Sequence, residues 1–192
     1  MNKEIPLIKV AWIGARGIPA NYGGFESFLE NVVKVFTGNF EHHVICSAKY
    51  YKEKPRYWGN ANLYYLPFDS NGWASIIYDA IGFFRLIRKA DVFIFMGYAA
   101  GFLFPLFKII CKGRPIILNL GGIETRRTKW NKFIRLGVYI VEKIACKYAT
   151  VVISDNKGIK EYLLKSRGIS SVVIPYGGDH ALQRDKNIEY IP

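Results

Sequence analysis

Short apolar runs alternate with helically periodic segments along this chain. Residues 8–13, IKVAWI, form a run of strand length. Phe25, Phe28, Leu29, Val32, Val33 and Phe36 then recur at i, i+3, i+4 and i+7, the spacing of one helix face. Residues 43–47 (HVICS) and 62–66 (NLYYL) predict the second and third strands, the latter closed by Pro67. Between them, residues 49–58 (KYYKEKPRYW) are basic and aromatic and predict a mobile loop. Residues 73–89 predict a helix with Trp73, Ile76, Ile77, Ala80, Ile81, Phe84 and Ile87 at helical spacing. Its Arg85, Arg88 and Lys89 suit a helix C-terminus. Residues 92–96 predict the fourth strand, followed by an apolar helix, and 115–118 open the fifth. Residues 129–148 predict a long helix with Trp130, Phe133, Ile134, Val138, Val141, Ile144 and Ala145 on its inner face. Residues 150–154 give the sixth strand, and Ser154 or Asp155 caps a short helix ending before Gly168. Residues 171–175 give the seventh.

Val- and Ile-rich strands that alternate with helices predict an α/β domain: a seven-stranded, mainly parallel sheet with helices on both faces. Ligands of such sheets bind beyond the carboxyl ends of the strands. The loops expected there are residues 14–24, 97–101, 119–127, 155–158 and 176–179. The first carries Gly14, Gly17, Gly23 and Gly24 together with Arg16. A glycine-rich turn into a helix exposes N–H groups where the helix dipole favours anions, and glycine permits close approach of a ligand. The same glycines also serve a plain strand-to-helix turn. Residues 119–130 (NLGGIETRRTKW) bring Glu124, Arg126, Arg127 and Lys129 beside two glycines. Glu124 could accept a sugar hydroxyl, and the guanidinium forks could clamp a phosphate; a solvated charge cluster before a helix reads equally well. Asp155, Asn156 and Lys157 stand at the expected cleft edge, where simple capping also explains them.

Composition narrows this picture. The 192 residues are 51% hydrophobic and 22% charged, which is globular and sufficient for one domain with a core. The net charge of +12 favours an anionic partner: nucleic acid, an anionic membrane or a phosphorylated substrate. Cys46, Cys111 and Cys146 form neither a metal pattern nor a disulfide framework and read as reduced thiols of a cytoplasmic protein. Residues 1–6 are polar, so no signal peptide is expected. Residues 91–111 are long enough to span a bilayer but contain Gly97, Gly101, Pro105 and Lys108, and read as a buried strand followed by a helix. His42, His43 and His180 lack ligand spacing; no metal and no cofactor are expected.

The stretch IGARGIPANYGGFESFLE resembles the opening of bacterial GT-B glycosyltransferases of family 4, a group that includes rhamnosyltransferases of polysaccharide assembly. Related enzymes carry Asn-x-Asp-Gly-x-Glu-Trp-x-Arg in the later loop. This chain matches it at Asn119, Gly122, Glu124 and Arg127, with Gly121 in place of Asp and Thr125 in place of Trp. Tyr176-Gly177-Gly178-Asp179 matches the turn before the crossing to the second domain. The resemblance implies a Rossmann-like acceptor-side domain over residues 1–180, one half of a GT-B fold, with a linker starting at 181–192 and a donor-binding half absent. It implies a nucleotide-sugar donor held mainly by that other half, and a saccharide or polyprenyl-linked acceptor. Substrate or phosphate contacts would come from Gly14, Arg16, Gly17, Gly23, Gly24, Phe25, Glu26, Asn119, Gly122, Arg127, Asp155 and Lys157, with Glu124 as the catalytic candidate. The chain alone would be inactive.

Two other readings remain. A dinucleotide-binding oxidoreductase would want GxGxxG and an acidic residue after the second strand, where this chain has Cys46, Ser47, Ala48 and Lys49. A nucleic-acid module would use the basic aromatic loop for stacking, but no known binding fold is present and no nucleic acid is expected. Peripheral docking to the inner face of the cell membrane is expected from the basic excess and from the apolar stretches at 73–84 and 102–107. Joint burial of Phe102, Leu103, Phe104 and Phe107 would make the second stretch core.

Overall fold

The computed structural model describes residues 6–123 and 131–176. In chain order the elements are β1 (Ile8–Ile13), α1 (Gly24–Val35), β2 (Phe40–Ser47), β3 (Tyr57–Trp58), β4 (Ala61–Leu66), α2 (Ala74–Leu86), β5 (Val92–Met96), α3 (Phe104–Ile110), β6 (Ile116–Leu120), α4 (Lys132–Tyr148), β7 (Val151–Ser154), α5 (Lys157–Arg167) and β8 (Val172–Val173). Short 3-10 turns occupy Ala48–Tyr50 and Gly101–Leu103. The strands form one eight-stranded sheet in the order β3-β4-β2-β1-β5-β6-β7-β8. Every pairing is parallel except β3 with β4. The architecture is Rossmann-like.

Seven strands were expected, and the eighth is β3. Residues 49–58 are not simply a loop: Tyr57 and Trp58 pair antiparallel with Asn62 and Ala61 across a turn at Gly59, whose φ is +56°. A two-residue strand offers no alternation to read. The cap of α5 also differs. Ser154 is buried against Ser171, hydroxyl to hydroxyl at 2.6 Å, while the Asn156 side chain accepts from the Ile159 N–H at 3.0 Å. Gly168, in the left-handed region, ends the helix.

Alternation along β1 sorts the core into two layers. Val10 and Trp12 point toward α1, with Leu29 and Val33. Ala11 and Ile13 point toward the layer holding Tyr78 and Phe83 of α2, Phe104 and Phe107 of α3, Ala145 of α4 and Leu163 of α5. One face thus carries α1 and the other carries four helices. Right-handed crossovers explain the split. The chain moves outward from β1 through β2 to β4, then α2 carries it back across the sheet to β5, and later strands continue in that direction. The order reverses between β1 and β5, and their carboxyl ends open a crevice there.

Helical spacing alone left the inward face of α2 undecided, and on α4 one residue expected inside faces out. On α2 the buried residues are Ser75, Tyr78, Asp79, Gly82, Phe83 and Leu86, whereas Ile77 and Phe84 are exposed, as is Trp73 just before the helix at 81%. Gly82 lies in the sheet-facing stripe because a Cβ there would meet Ile45 at 3.1 Å. The buried stripe therefore mixes Ser75, Asp79 and Gly82 with Tyr78, Phe83 and Leu86, and a second, wholly apolar stripe faces out. On α4 the inner residues are Glu142, Ala145 and Cys146, and Phe133, expected inside, is 85% exposed. Glu142 is held by Arg167 of α5 at 2.7 Å and by the Tyr162 hydroxyl at 2.9 Å, so this helix too turns an acidic side chain inward. Phe104 and Phe107 are fully buried but Phe102 is 45% exposed, so the second apolar stretch has a core side and an outer side. Residues 91–111 form β5, a turn and α3, and among the described residues no helix is long and apolar enough to cross a membrane.

Candidate functional site

The crevice at the β1/β5 reversal is a cleft of about 230 Å³, lined by the first loop, the start of α1, residues 70–71, the inner side of α2 and residues 96–99. Gly14 follows β1 with φ +99°, and a Cβ on it would lie 2.8 Å from the Met96 carbonyl oxygen. Gly17, φ +121°, is pressed against Cys46, whose Sγ would lie 2.5 Å from an added Cβ. Both glycines are thus required by the neighbouring strand ends. The loop then returns to α1, where two carboxylates pin it. Glu26, buried in the first helical turn, accepts from the backbone N–H of Arg16 at 2.8 Å and of Gly23 at 3.1 Å. Glu30, one turn later, accepts from the Ala20 N–H and from Lys34 at 2.6 Å. Burial raises the Glu30 carboxyl, but these two partners outweigh it and hold it below its ordinary range.

The anion at the α1 N-terminus is therefore supplied by the protein. Backbone N–H groups expected to meet a phosphate are partly occupied by Glu26, and a second anion there would meet its charge. Arg16 projects away from this carboxylate. Its guanidinium packs 3.2 Å from the Tyr22 ring centroid and 4.1 Å from that of Tyr50, and the Asn71 amide oxygen accepts from it at 3.1 Å. Tyr50 is fixed in turn by its hydroxyl bond to Asp69 at 2.7 Å, and Lys49 pairs with the same carboxylate at 2.9 Å. Burial pushes the Asp69 carboxyl up, but these partners and the Asn71 N–H overcome it and bring it down to about 2.

At the back of the cleft lies Asp79 of α2. It is 2% exposed, accepts from the Ala100 N–H, and its Oδ1 has no hydrogen-bond partner. Burial raises its carboxyl to about 8, only partly offset by that hydrogen bond. In the folded state Asp79 thus keeps a proton that it loses near pH 4 when unfolded, as an ordinary carboxyl does. Its contribution to stability is present at low pH and is lost as pH rises toward about 8. Asp79→Asn stays neutral. Its melting temperature relative to the unaltered chain should therefore climb between about pH 4 and about pH 8; a constant difference in thermal melts would show that Asp79 holds no such proton.

Of the residues expected at the site, Gly14, Arg16, Gly23, Gly24, Phe25 and Glu26 line this cleft. Asn119 does not face it: it is fully buried, its amide directed at the Met96 sulfur at 3.6 Å. Phe25 accounts for the departure at Gly121. A Cβ at 121 would lie 2.8 Å from the Phe25 ring and 3.0 Å from the Tyr176 hydroxyl, and Tyr176 packs in turn on Phe25 and Phe28. An aspartate at 121 and this aromatic cluster exclude each other. Gly122 is open on its Cβ side. Asp155 and Lys157 stand two strands beyond β5 on the same sheet edge, with Asp155 accepting from Asn156 at 3.1 Å. Glu124, Arg126, Arg127, Lys129 and Trp130, the turn at Gly177, Gly178 and Asp179, His180, and the segment 181–192 lie outside the described residues.

The sequence pattern of a family described as "Domain of unknown function (DUF1972)" matches residues 7–179. The chain belongs to the DUF1972 family. No curated protein matches it. The matched span of this DUF1972 domain runs from β1 past β8 and contains every element that lines the cleft. Tyr22, Tyr50, Asn71 and Asp79 are functional candidates that sequence reading did not single out. Two left a trace there: Tyr50 within the basic aromatic stretch 49–58, and Asp79 as the sole acid within the apolar segment 73–84. Among the described residues no group of His, Cys, Asp and Glu side chains comes together to hold a metal. The three cysteines are free and buried, and burial raises Cys46 and Cys146 to about 12.

Proposed function

We propose that this domain is the acceptor-binding half of a glycosyltransferase that moves a sugar, of rhamnose type, from a nucleotide-sugar to a cell-surface polysaccharide or lipid-linked acceptor. The observation that carries the reading is the polarity of the cleft. Its lining has one cation, Arg16, sandwiched between tyrosines, against the carboxyls of Glu26 and Asp79. Carboxyls, Asn71 and the serines at 70 and 75 offer acceptors and donors to hydroxyl groups, and the aromatic faces of Tyr22 and Phe25 offer apolar surface. That is the chemistry of a polyol site and a poor one for a diphosphate. The position at the strand-order reversal and the occurrence of DUF1972 in amino-terminal regions associated with glycosyltransferases support it. Residues of the cleft would orient the acceptor hydroxyl by proximity, while the donor is held elsewhere.

A thermal-shift panel tests this. Saccharides of bacterial surface polysaccharides should raise the melting temperature of the 192-residue chain, and NAD should not. Arg16→Ala should abolish the saccharide effect. Stabilisation by NAD with no response to any saccharide would favour a dinucleotide-binding domain instead.

A further inference from the structure

We propose that the outer face of α2, α3 and α4 is a docking surface for an anionic lipid bilayer. The inference does not depend on what the cleft binds. The three helices form one continuous layer. Phe83 of α2 stacks on Phe107 of α3 with ring centroids 4.0 Å apart. Gly101, just before α3, lies so close to α4 that a Cβ would sit 2.8 Å from that of Ala145.

Each helix carries a second apolar stripe pointing away from the sheet. On α2 this is Ile77, Ile81 and Phe84, preceded by Trp73. At α3 it is Phe102, Leu106 and Ile109, the last 75% exposed. On α4 it is Phe133, Leu136 and Ile140. A water-exposed helix normally shows solvent a polar face, and apolar surface gathered on three adjacent helices marks an interaction site.

Charge identifies the partner. Each stripe gives way to cations toward the helix C-terminus: Arg85, Arg88 and Lys89 after α2, Lys112 after α3, Lys143 and Lys147 on α4. These helices expose no acid at all, since Asp79 and Glu142 are both buried. A second copy of this face would set like charges against each other in a two-fold contact. A nucleic acid would leave the Ile and Phe side chains without a counterpart. An anionic bilayer matches both parts: headgroups for the cations, the acyl boundary for the apolar side chains.

The fold also sets the orientation. Helices connecting parallel strands start at the carboxyl edge of the sheet, so Trp73, Phe102 and Phe133 lie on the side of the cleft, with Lys132 beside Phe133, and the cations at the helix C-termini lie on the far side. Docking would bring the mouth of the cleft close to the membrane surface.

Flotation of the purified chain with vesicles of phosphatidylcholine alone, or mixed with phosphatidylglycerol, tests the proposal. The chain should float with the anionic vesicles, and raised salt should release it. Arg85→Gln, Arg88→Gln and Lys89→Gln combined should lower partitioning on the order of a hundredfold, about fivefold per cation. Ile109→Ser and Phe133→Ser should each lower it about tenfold. Both sites are exposed, so circular dichroism and melting should stay unchanged. Failure to bind anionic vesicles, equal binding to neutral ones, or binding indifferent to these substitutions would overturn the proposal. So would a concentration-dependent dimer in sedimentation that the serine variants abolish.

Discussion

A Glu26→Ala variant is expected to lose about 3 kcal/mol of stability and to gain affinity for inorganic phosphate. The buried carboxylate accepts from the Arg16 and Gly23 N–H groups, and its loss leaves both donors unpaired at the start of α1. A buried donor without a partner costs about 1–3 kcal/mol. The vacated position is a helix N-terminus ringed by glycine backbone, where an anion binds readily. Phosphate should therefore raise the melting temperature of the alanine variant and leave the unaltered chain unmoved. Glu26→Gln, which keeps one acceptor oxygen, should fall between. Urea denaturation with and without phosphate reads both effects. If phosphate stabilises the unaltered chain as much as the variant, the first loop is an open anion site, and the assignment of Glu26 as its internal occupant is wrong.

The second large effect is expected at Glu142. Its side chain is 1% exposed and that of Arg167 3% exposed, and the two meet at 2.7 Å between α4 and α5. Tyr162 donates to the same carboxylate oxygen, and the guanidinium lies 3.9 Å from the Tyr139 ring centroid. Glu142→Ala strands a buried guanidinium, for which a loss of about 3–5 kcal/mol is expected. Removing both charges removes that penalty. Glu142→Leu combined with Arg167→Met should thus recover most of the loss, the methionine keeping contact with Tyr139. Chemical denaturation of the three proteins checks this. A double variant as unstable as Glu142→Ala would mean that the pair contributes through packing rather than charge.

The strands were readable because parallel strands buried on both faces are continuous apolar runs, such as IKVAWI and VFIFM. Their bounds shifted by a few residues where strand ends without a continuous apolar run, such as Phe40–His42, are fixed by pairing with neighbouring strands. The inner face of α2 was not readable. Ser75, Asp79 and Gly82 face the cleft and the sheet, while Ile77, Ile81 and Phe84 face out, and periodicity alone does not say which of two stripes packs inward. On α4 the expected inner residues Val141 and Ala145 do face the layer at Gly101, and among the described residues Phe133, at the edge of that stripe, alone turns out. At the site, the glycine loop announced itself, but its close packing on Met96 and Cys46 depends on strand neighbours remote in sequence. The clamp on Arg16 joins residues 16, 22, 50 and 71, and no local pattern links them. Asp79 became a site residue only once the strand-order reversal placed α2 behind the cleft.

Chemical-shift mapping of acceptor binding tests the polyol-site assignment most directly. Titration of the labelled chain with oligosaccharides should shift the amides of Gly14, Gly97 and Ala99 around the cleft. The same titration on Asp79→Asn and Arg16→Ala should shift them far less, while a nucleoside diphosphate should leave them in place. Saccharide-induced shifts confined to residues outside the cleft, or cleft shifts produced by the nucleotide and by no saccharide, would contradict the account.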